Sequence, residues 1–245
     1  MRFEFCMPAE VERVKAENIP LVITCGTMEY HGHHCAYGCD TLIVTGLLER
    51  LEKKRDLLIA PPIWYSPSSY AVADKASGTV HVAEDAFEKY VYYILKSYLH
   101  SGFRKIYIVI QHQYENESLM PMTLCCMKAA KVVTMEYLEE TLGQGWWGSE
   151  SYKDYYSNLD DKNANPFEWI KVVSAISAEA QKATGYDHAG KYESSILMAL
   201  YPEAVKQERC KDNPHWYTAS AVDADAELGR KMVKYSLKDL DKRIR

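Results

Sequence analysis

The chain lacks the features that would place it in a membrane, outside the cell or on nucleic acid. No apolar run in its 245 residues approaches the roughly 20 residues that a membrane-spanning helix needs. The amino-terminal stretch MRFEFCMPAEVERVK has no apolar segment of the kind found in a signal peptide. Basic residues are not in excess, because 34 Asp and Glu outnumber 29 Lys and Arg, so no basic stripe exists to meet phosphates. We therefore expect neither a membrane nor a nucleic acid as partner.

The chain also lacks a regular disulfide framework, internal repeats and low-complexity tracts. Its seven cysteines are an odd number without regular spacing, which is typical of a reduced, cytoplasmic protein. A length of 245 residues suits one large α/β domain or two small ones, and it allows folding to bury well over half of the chain's surface.

Short apolar runs alternate with helical patterns in the first half of the chain. Strands are predicted within 19–25, 56–66 and 104–113, with Pro61 and Pro62 stopping the second. Each is followed by a helical pattern, and this order predicts a mainly parallel sheet with helices on both faces. Such folds carry their sites at the carboxyl ends of the strands.

The second half of the chain is less regular. Residues 132–138 (VVTMEYL) suggest another strand, and 139–165 are polar, aromatic and poorly periodic, as in an excursion from a domain. Helices are predicted within 165–185, 191–205 and 223–244. The second is ended by Pro202, and the last has an acidic start and a basic end.

Titratable side chains are concentrated just after the first predicted strand, in the stretch TCGTMEYHGHHCAYGCDT. Glu29 and His31 are two residues apart, so they face the same way if the backbone is extended. Asp40 begins the next helix and can fold back toward them. Carboxylates and imidazoles are ligands of zinc, manganese or iron. The alternative is a polar loop in which Asp40 only caps the helix.

Two more polar clusters follow strand or helix ends. After the third strand, parity turns Gln113 and Glu115 to one side and His112 to the other, although Glu115 also suits a helix amino terminus. Further on, His188 can act as acid or base and Glu193 can ligate or support a metal, or both can merely begin a helix. Junctions at one sheet edge converge, which favours a shared site over three unrelated loops.

These stretches together resemble a known family. GTMEYHGHHCAYGCDT, QYENES, HAGKYESSILMAL and DADAELGRKMVKYSLKDL are similar, in the same order, to segments of the creatininase (creatinine amidohydrolase) family. The resemblance spans nearly the whole chain. It implies a three-layer α/β/α sandwich with a mainly parallel central sheet, in one domain over 1–245 with an enlarged loop at about 139–165. It also implies a homo-oligomer, often a hexamer built from dimers, and one or two zinc or manganese ions per chain.

The resemblance also implies roles for individual residues. One ion is held by His31, Asp40 and Glu115, and the other by Glu29, Asp40 and Gln113, with Asp40 bridging. Further roles are catalysis for His188 and Glu115, substrate contact for Tyr114, Ser66, Ser68 and Asp187, and support of the ligands for His34 and Glu193.

Gln113 departs from the family, which has histidine at this position. An amide oxygen is a poorer zinc ligand than imidazole, so three arrangements are open. The chain slips locally and His112 binds, Gln113 binds weakly, or a single ion remains on the other three ligands, which still activates water.

The expected reaction is hydrolysis of a small cyclic substrate by metal-activated water, and a cyclic amide C–N bond is the first candidate for the bond that breaks. The sequence ASGT replaces the family's usual turn near residue 78, and hydroxyl-bearing residues at 65–70 suit a polyol. An alternative is therefore the opening of a cyclic polyol ketone in inositol or sugar breakdown. A non-catalytic descendant that binds a small molecule is the third possibility.

Overall fold

The structure, a computed structural model, describes residues 1–112, 119–158 and 165–245. In these residues, four parallel strands form one sheet in the order β2-β1-β3-β4. The strands are β1 (Leu21–Cys25), β2 (Leu58–Ile63), β3 (Ile106–Ile110) and β4 (Ile170–Ser174). The helices are α1 (Pro8–Ala16), α2 (Cys39–Glu52), α3 (Glu84–His100), α4 (Pro121–Leu142), α5 (Ala178–Thr184), α6 (Lys191–Leu200) and α7 (Ala226–Arg243). Of the helices in the described residues, none combines the length and apolar character that a membrane span requires.

Helices cover both faces of the sheet. Because side chains alternate along a strand, Leu21 and Ile23 of β1 join Ile108 of β3 in the apolar cluster under α3 and α4. Val22 and Tyr107 point to the opposite face, into the cluster formed with α2, α6 and α7. The three-layer α/β/α architecture is therefore as predicted.

Strand β2 does not stop at the prolines. It continues through Pro61 and Pro62 to Ile63, and its pairing with β1 shifts register between Ile23 and Cys25. β2 is an edge strand and pairs with another strand of the sheet on one side only. The N–H groups that its prolines lack are therefore not needed by a second neighbouring strand. The predicted stop at the prolines was wrong for this reason.

Residues 132–138 are helical, which corrects the predicted strand. They continue α4, and their buried members Val133, Thr134 and Leu138 follow helical spacing toward α3. The β-branched residues suggested a strand, but packing against α3 overrides that preference.

The helix predicted over 165–185 is a strand followed by a shorter helix. Val172 and Val173 lie in β4, which extends the parallel sheet beyond β3. Helix α5 starts only after Ser177, whose side chain accepts a hydrogen bond from the N–H of Ala180.

The segment after α4 contains short 3-10 turns within 146–158. Trp146 is buried there, with its ring centroid 5.0 Å from that of Tyr152. The expected loop excursion over 139–165 stays a prediction.

The sheet brings the ends of β1 and β3 together. Cys25 pairs with Ile110, and the N–H of Gln111 donates to the carbonyl of Cys25 at 3.0 Å. The residues that follow these two strands therefore start side by side, at the carboxyl edge of the sheet.

Candidate metal centre

Six buried titratable side chains meet at the carboxyl edge of the sheet. They come from the loop after β1 (Glu29, His31), the first turn of α2 (Asp40), the residue pair after β3 (His112), the segment before α6 (His188) and the first turn of α6 (Glu193). Each of the three clusters predicted to converge contributes to this group.

Asp40 lies at the middle of the group and is fully buried. Its Oδ2 accepts a hydrogen bond from Thr27 Oγ1 at 2.5 Å and lies 3.3 Å from His112 Nδ1. Its Oδ1 faces the other way, 3.8 Å from His31 Nε2. Burial alone would raise the pKa of Asp40, but the hydrogen bond from His112 and the charge of His31 lower it. The partial positive charge at the amino terminus of α2 also stabilises the ionised carboxylate.

Glu29 lies on the His112 side of Asp40. Its Oε1 accepts a hydrogen bond from Ser68 Oγ at 3.0 Å, and its Oε2 is 3.5 Å from His112 Nδ1. Burial raises the pKa of Glu29 despite the opposing charges of the histidines. Glu29, Asp40 and His112 each offer one atom within 4.8 Å of the others, as a metal ion requires.

His31 lies on the opposite side of Asp40. Its Nδ1 is 3.0 Å from the carbonyl of Glu29, so Nδ1 donates and Nε2 is left to face Glu193 Oε2 at 3.4 Å. Burial opposes a charge on His31, yet the carboxylates of Glu193, Asp40 and Glu29 raise its pKa to about 9. The site therefore favours a cation at this point, and in the metal-free chain a proton provides it.

His188 stands above His31, with the two ring centroids 4.4 Å apart. Its Nε2 donates to the carbonyl of Tyr30 at 3.2 Å, and its Nδ1 lies 3.9 Å from Glu193 Oε2. Burial and the charge of His31 lower the pKa of His188 to about 3. The imidazole is therefore neutral at neutral pH, with the lone pair of Nδ1 directed into the site.

The group fits a metal ion because several of its buried atoms have no partner. Within the part of the chain that the structure describes, five such atoms lack a hydrogen bond: Glu29 Oε2, His31 Nε2, Asp40 Oδ1, His188 Nδ1 and Glu193 Oε1. Unsatisfied buried polar atoms are costly, and their convergence is explained when cations bind there.

His112 corrects the strand-parity argument. It was expected to point away from the site, but its Nδ1 contacts the carboxylates of Asp40 and Glu29. Strand β3 ends at Ile110, so alternation does not extend to residue 112. Of the three open arrangements, the contacts of His112 favour the first. The predicted site residues Gln113, Tyr114 and Glu115 lie outside the described residues.

Two serines predicted to bind substrate are buried and hydrogen-bonded to the protein. Ser66 Oγ donates to the carbonyl of Gly26 at 2.9 Å, and Ser68 Oγ donates to Glu29. Ser68 therefore orients a candidate ligand, and substrate contact by either serine stays a prediction.

Asp187 holds the amino terminus of α6. Its Oδ1 accepts from the N–H of Glu193 at 3.0 Å, and its Oδ2 accepts from the N–H of Tyr192 at 3.1 Å. It also lines the cavity described below. Glu193 was predicted to support a metal ligand, and its Oε2 lies 3.4 Å from His31 Nε2.

His34 is buried beside the site, where a supporting residue was predicted. Its Nε2 is 2.8 Å from Ser194 Oγ, and its Nδ1 accepts from the amide of Asn213 at 2.9 Å. This chain of hydrogen bonds fixes the loop after β1 against α6.

A cavity of about 380 Å³ opens above His188. It is lined by Ala71, Val72, Asp187, His188, Trp216 and Tyr217. Tyr217 is held by its hydroxyl, which donates to the carbonyl of Val72 at 2.7 Å, and by the stacked ring of His215. This wall was not predicted, although the run PHWY at 214–217 carries three aromatic rings in four residues.

A family model described as creatinine amidohydrolase (Creatininase) matches residues 6–240. The chain belongs to the creatininase family. The predicted family and fold are thereby confirmed, as is the assignment to a family of metal-dependent hydrolases.

Two curated relatives resemble this family member at moderate identity. A 3-dehydro-scyllo-inosose hydrolase of Thermotoga maritima is 27% identical over 201 residues, which is 82% of this chain but only 56% of that protein. A creatinine amidohydrolase of Pseudomonas putida is 23% identical over 206 residues, covering 82% of this chain and 72% of that protein.

Solved creatininase structures share the fold. A crystal structure of creatinine amidohydrolase superposes with a TM-score of 0.75 at 18% identity, over 99% of this chain and 96% of that one. A structure described as "Creatininase Mn" superposes with a TM-score of 0.74 at 18% identity, over 100% and 97%.

Proposed function

We propose that the chain uses two divalent ions, of zinc or manganese, to hydrolyse a small cyclic substrate. A cyclic amide C–N bond is the first candidate for the bond that breaks. The observation that carries the proposal is the division of ligands around Asp40. One oxygen faces His112 and Glu29, and the other faces His31. A carboxylate with donors on both sides is suited to bridge two ions.

Glu29, Asp40 and His112 would hold one ion, since all three are buried and within reach of one another. His31 and Asp40 would hold the other, with Glu115 as the ligand expected from the family. The ions would lower the pKa of a water molecule and so supply hydroxide near neutral pH.

His188 is suited to orient the substrate through Nδ1. It could also carry a proton to the leaving nitrogen if its pKa rises from about 3 toward neutral when the charge of His31 is removed. Its neutral ring is held by the carbonyl of Tyr30, and Nδ1 remains free beside the cavity. A general base of this kind must be neutral at working pH and within reach of the reacting group.

The cavity limits the substrate to a small molecule. A volume of about 380 Å³ is at the low end of ligand pockets. Its walls combine the rings of Tyr217 and Trp216 with the carboxylate of Asp187. A flat or ring-shaped substrate with a polar edge suits such walls.

A cyclic polyol ketone is the second candidate substrate. The relative from Thermotoga maritima, which is named for a ring ketone of this kind, is 27% identical, compared with 23% for the creatinine amidohydrolase. The two reactions need the same activated water and differ in the bond that breaks.

The proposal also covers the oligomeric state and the cellular location of the protein. We expect a homo-oligomer, which sedimentation velocity would test. We also expect a cytoplasmic location, because all seven cysteines are free thiols, as in proteins of reducing compartments.

The first experiment measures metal content per chain by plasma mass spectrometry, on protein purified without chelator. Two ions per chain in the wild type and fewer in Asp40→Asn are expected. Creatinine, other cyclic amides and ring ketones are then compared as substrates with the metal-loaded protein. Turnover of an amide supports the first candidate, and turnover of a ketone alone supports the second. Absence of metal after soaking in zinc and manganese would leave only a non-catalytic binding protein.

A further inference from the structure

Cys39 is a potential ligand beside the candidate metal centre that the family resemblance does not use. It is the first residue of α2, adjacent to Asp40 and fully buried. Its Sγ, one ring nitrogen of His31 and one carboxylate oxygen of Glu193 all lie within 4.8 Å of one another. One sulfur, one nitrogen and one oxygen atom therefore lie close enough together beside His31 to hold one ion.

The side chains of His31 and Glu193 are already held in place by other contacts. The Nδ1 of His31 is bound to the carbonyl of Glu29, which leaves Nε2 free. The Oε2 of Glu193 accepts from the N–H of Ala189 at 2.7 Å. Both His31 Nε2 and Glu193 Oε1 are buried and lack a hydrogen bond within the described residues. Metal ligands are commonly held by such second contacts, which fix the free atom toward the ion.

We propose that Cys39 supplies a thiolate ligand, together with His31 and Glu193, to the ion on the His31 side, and that this makes the position select zinc over manganese. The inference rests on the proposed function, since it assumes that an ion binds there. On binding, the ion replaces the thiol proton of Cys39, which is released to solvent, and no oxidation or reduction is involved.

The two sides of Asp40 then differ in ligand chemistry. Glu29, Asp40 and His112 offer two oxygens and one nitrogen, a set that manganese accepts as well as zinc. The thiolate of Cys39 is a softer ligand, which zinc binds well and manganese poorly. Each chain would therefore retain one zinc ion firmly and exchange the ion on the other side more freely.

The competing explanation is that Cys39 is only a packing residue. It belongs to the apolar cluster under α2, and burial raises the pKa of its thiol, as do the neighbouring Cys35 and the carboxylates of Glu193 and Asp40. Buried free cysteines are common. Cys126 provides a matched control, because it is equally buried but lies in the cluster on the opposite face of the sheet.

The test replaces the bound ions of the full chain with cobalt and records its absorption spectrum. A thiolate-to-cobalt charge-transfer band in the near ultraviolet is expected for the wild type and for Cys126→Ala. It should be lost in Cys39→Ser, while the visible bands of bound cobalt remain. In competition between zinc and manganese, Cys39→Ser should lose preference for zinc by about tenfold or more.

X-ray absorption at the zinc edge gives a second measurement that needs no variant. Zinc-loaded wild type should show sulfur at about 2.3 Å, in addition to nitrogen and oxygen ligands at about 2.0–2.1 Å. If zinc and cobalt bind in stoichiometric amounts but neither method detects sulfur, the thiolate ligand is refuted and the proposed function stands. If neither metal binds, the proposed function fails as well.

Discussion

Asp40 uses its two carboxylate oxygens for two different neighbours. Oδ2 is held by Thr27 and contacts His112, whereas Oδ1 has no hydrogen bond within the described residues and faces His31. The division explains why one residue at the start of α2 can serve both halves of a metal centre. It also places His112 beside Glu29, and we propose His112 as the histidine of that half.

Replacement of His112 by alanine should remove one of the two metal ions. The ion beside Glu29 would keep only carboxylate ligands, whereas the ion beside His31 would keep its own nitrogen donor. Metal analysis after dialysis should therefore give about two ions per chain for the wild type and about one for His112→Ala.

Gln113→Ala and His33→Ala are the contrasting variants for this experiment. The family resemblance implies a histidine at the position of Gln113, and the His33 side chain is exposed. Both variants should keep two ions. Loss of an ion in Gln113→Ala with retention in His112→Ala would return the ligand role to Gln113.

Metal binding should become stronger as pH rises toward about 9. The carboxylates raise the pKa of His31 to about 9, although burial opposes them, so the metal-free protein carries a proton there at pH 7 to 8. An ion must displace this proton, so the apparent affinity should increase with pH until His31 is neutral, and the His31 proton alone contributes about tenfold per pH unit. Isothermal titration calorimetry in buffers of different ionisation enthalpy counts the protons released.

His31→Gln separates this proton from others in the site. The variant should release about one proton fewer than the wild type and show a flatter pH dependence for whatever ion it still binds. Equal proton release in both proteins would show that His31 is already neutral and that another group carries the proton.

At the scale of elements, β1 and α2 meet too closely to allow a side chain at Gly26. A Cβ added there would lie 2.5 Å from both N and Oγ1 of Thr41. Gly26→Ala should therefore push the first turn of α2 away from β1 and lower the free energy of unfolding by about 1–3 kcal/mol. Because Asp40 precedes Thr41, metal affinity should fall as well, and urea unfolding with metal titration measures both effects.

Gly148→Ala is the control for the loss of a glycine. No atom lies within 4 Å of a Cβ added at Gly148, which is exposed, so its stability and metal affinity should match those of the wild type. A stable Gly26→Ala variant with normal affinity would mean that the junction can open without moving Asp40.

Elements whose local sequence pattern agrees with their packing could be predicted from the sequence, and prediction failed for the others. The strand at β1 and helix α7 were expected near their observed bounds, α6 was expected to start where it does, and helical patterns were expected where α2 and α3 lie. The elements that were not predicted are those whose neighbours decide the outcome. β4 is a strand because it pairs with β3, and its sequence alone suggested a helix. β2 tolerates Pro61 and Pro62 because it lies at the sheet edge.

Prediction of the candidate site from the sequence was limited in the same way. Glu29, His31 and Asp40 were recognised from residue types beside a strand, and the sheet brings them together with His188 and Glu193. The direction of His112 was not predictable, because it depends on where β3 ends. The aromatic wall of the cavity comes from 214–217, far from every strand in the sequence, and only tertiary packing carries it to the site.

For the whole molecule, the site concentrates negative charge in the interior. Glu29, Asp40 and Glu193 are all at most 2% exposed, and burial raises the pKa of both glutamates. Histidines balance part of this charge, but His188 is neutral at neutral pH. Divalent cations at the same place would offset the remaining repulsion and desolvation.

Removal of metal should therefore lower the melting temperature of the protein as a whole. Each ion present at about one hundred times its dissociation constant stabilises the folded state by about 2.7 kcal/mol, which corresponds to about 5–10 °C per ion for a chain of this length. Differential scanning calorimetry of chelated and zinc-loaded protein measures the shift. Asp40→Asn should show little response to zinc, whereas Asp223→Asn, an exposed acidic residue, should respond like the wild type. A melting temperature independent of zinc in the wild type would mean that no ion binds the folded chain preferentially, and the buried carboxylates would then have to be balanced by protons alone.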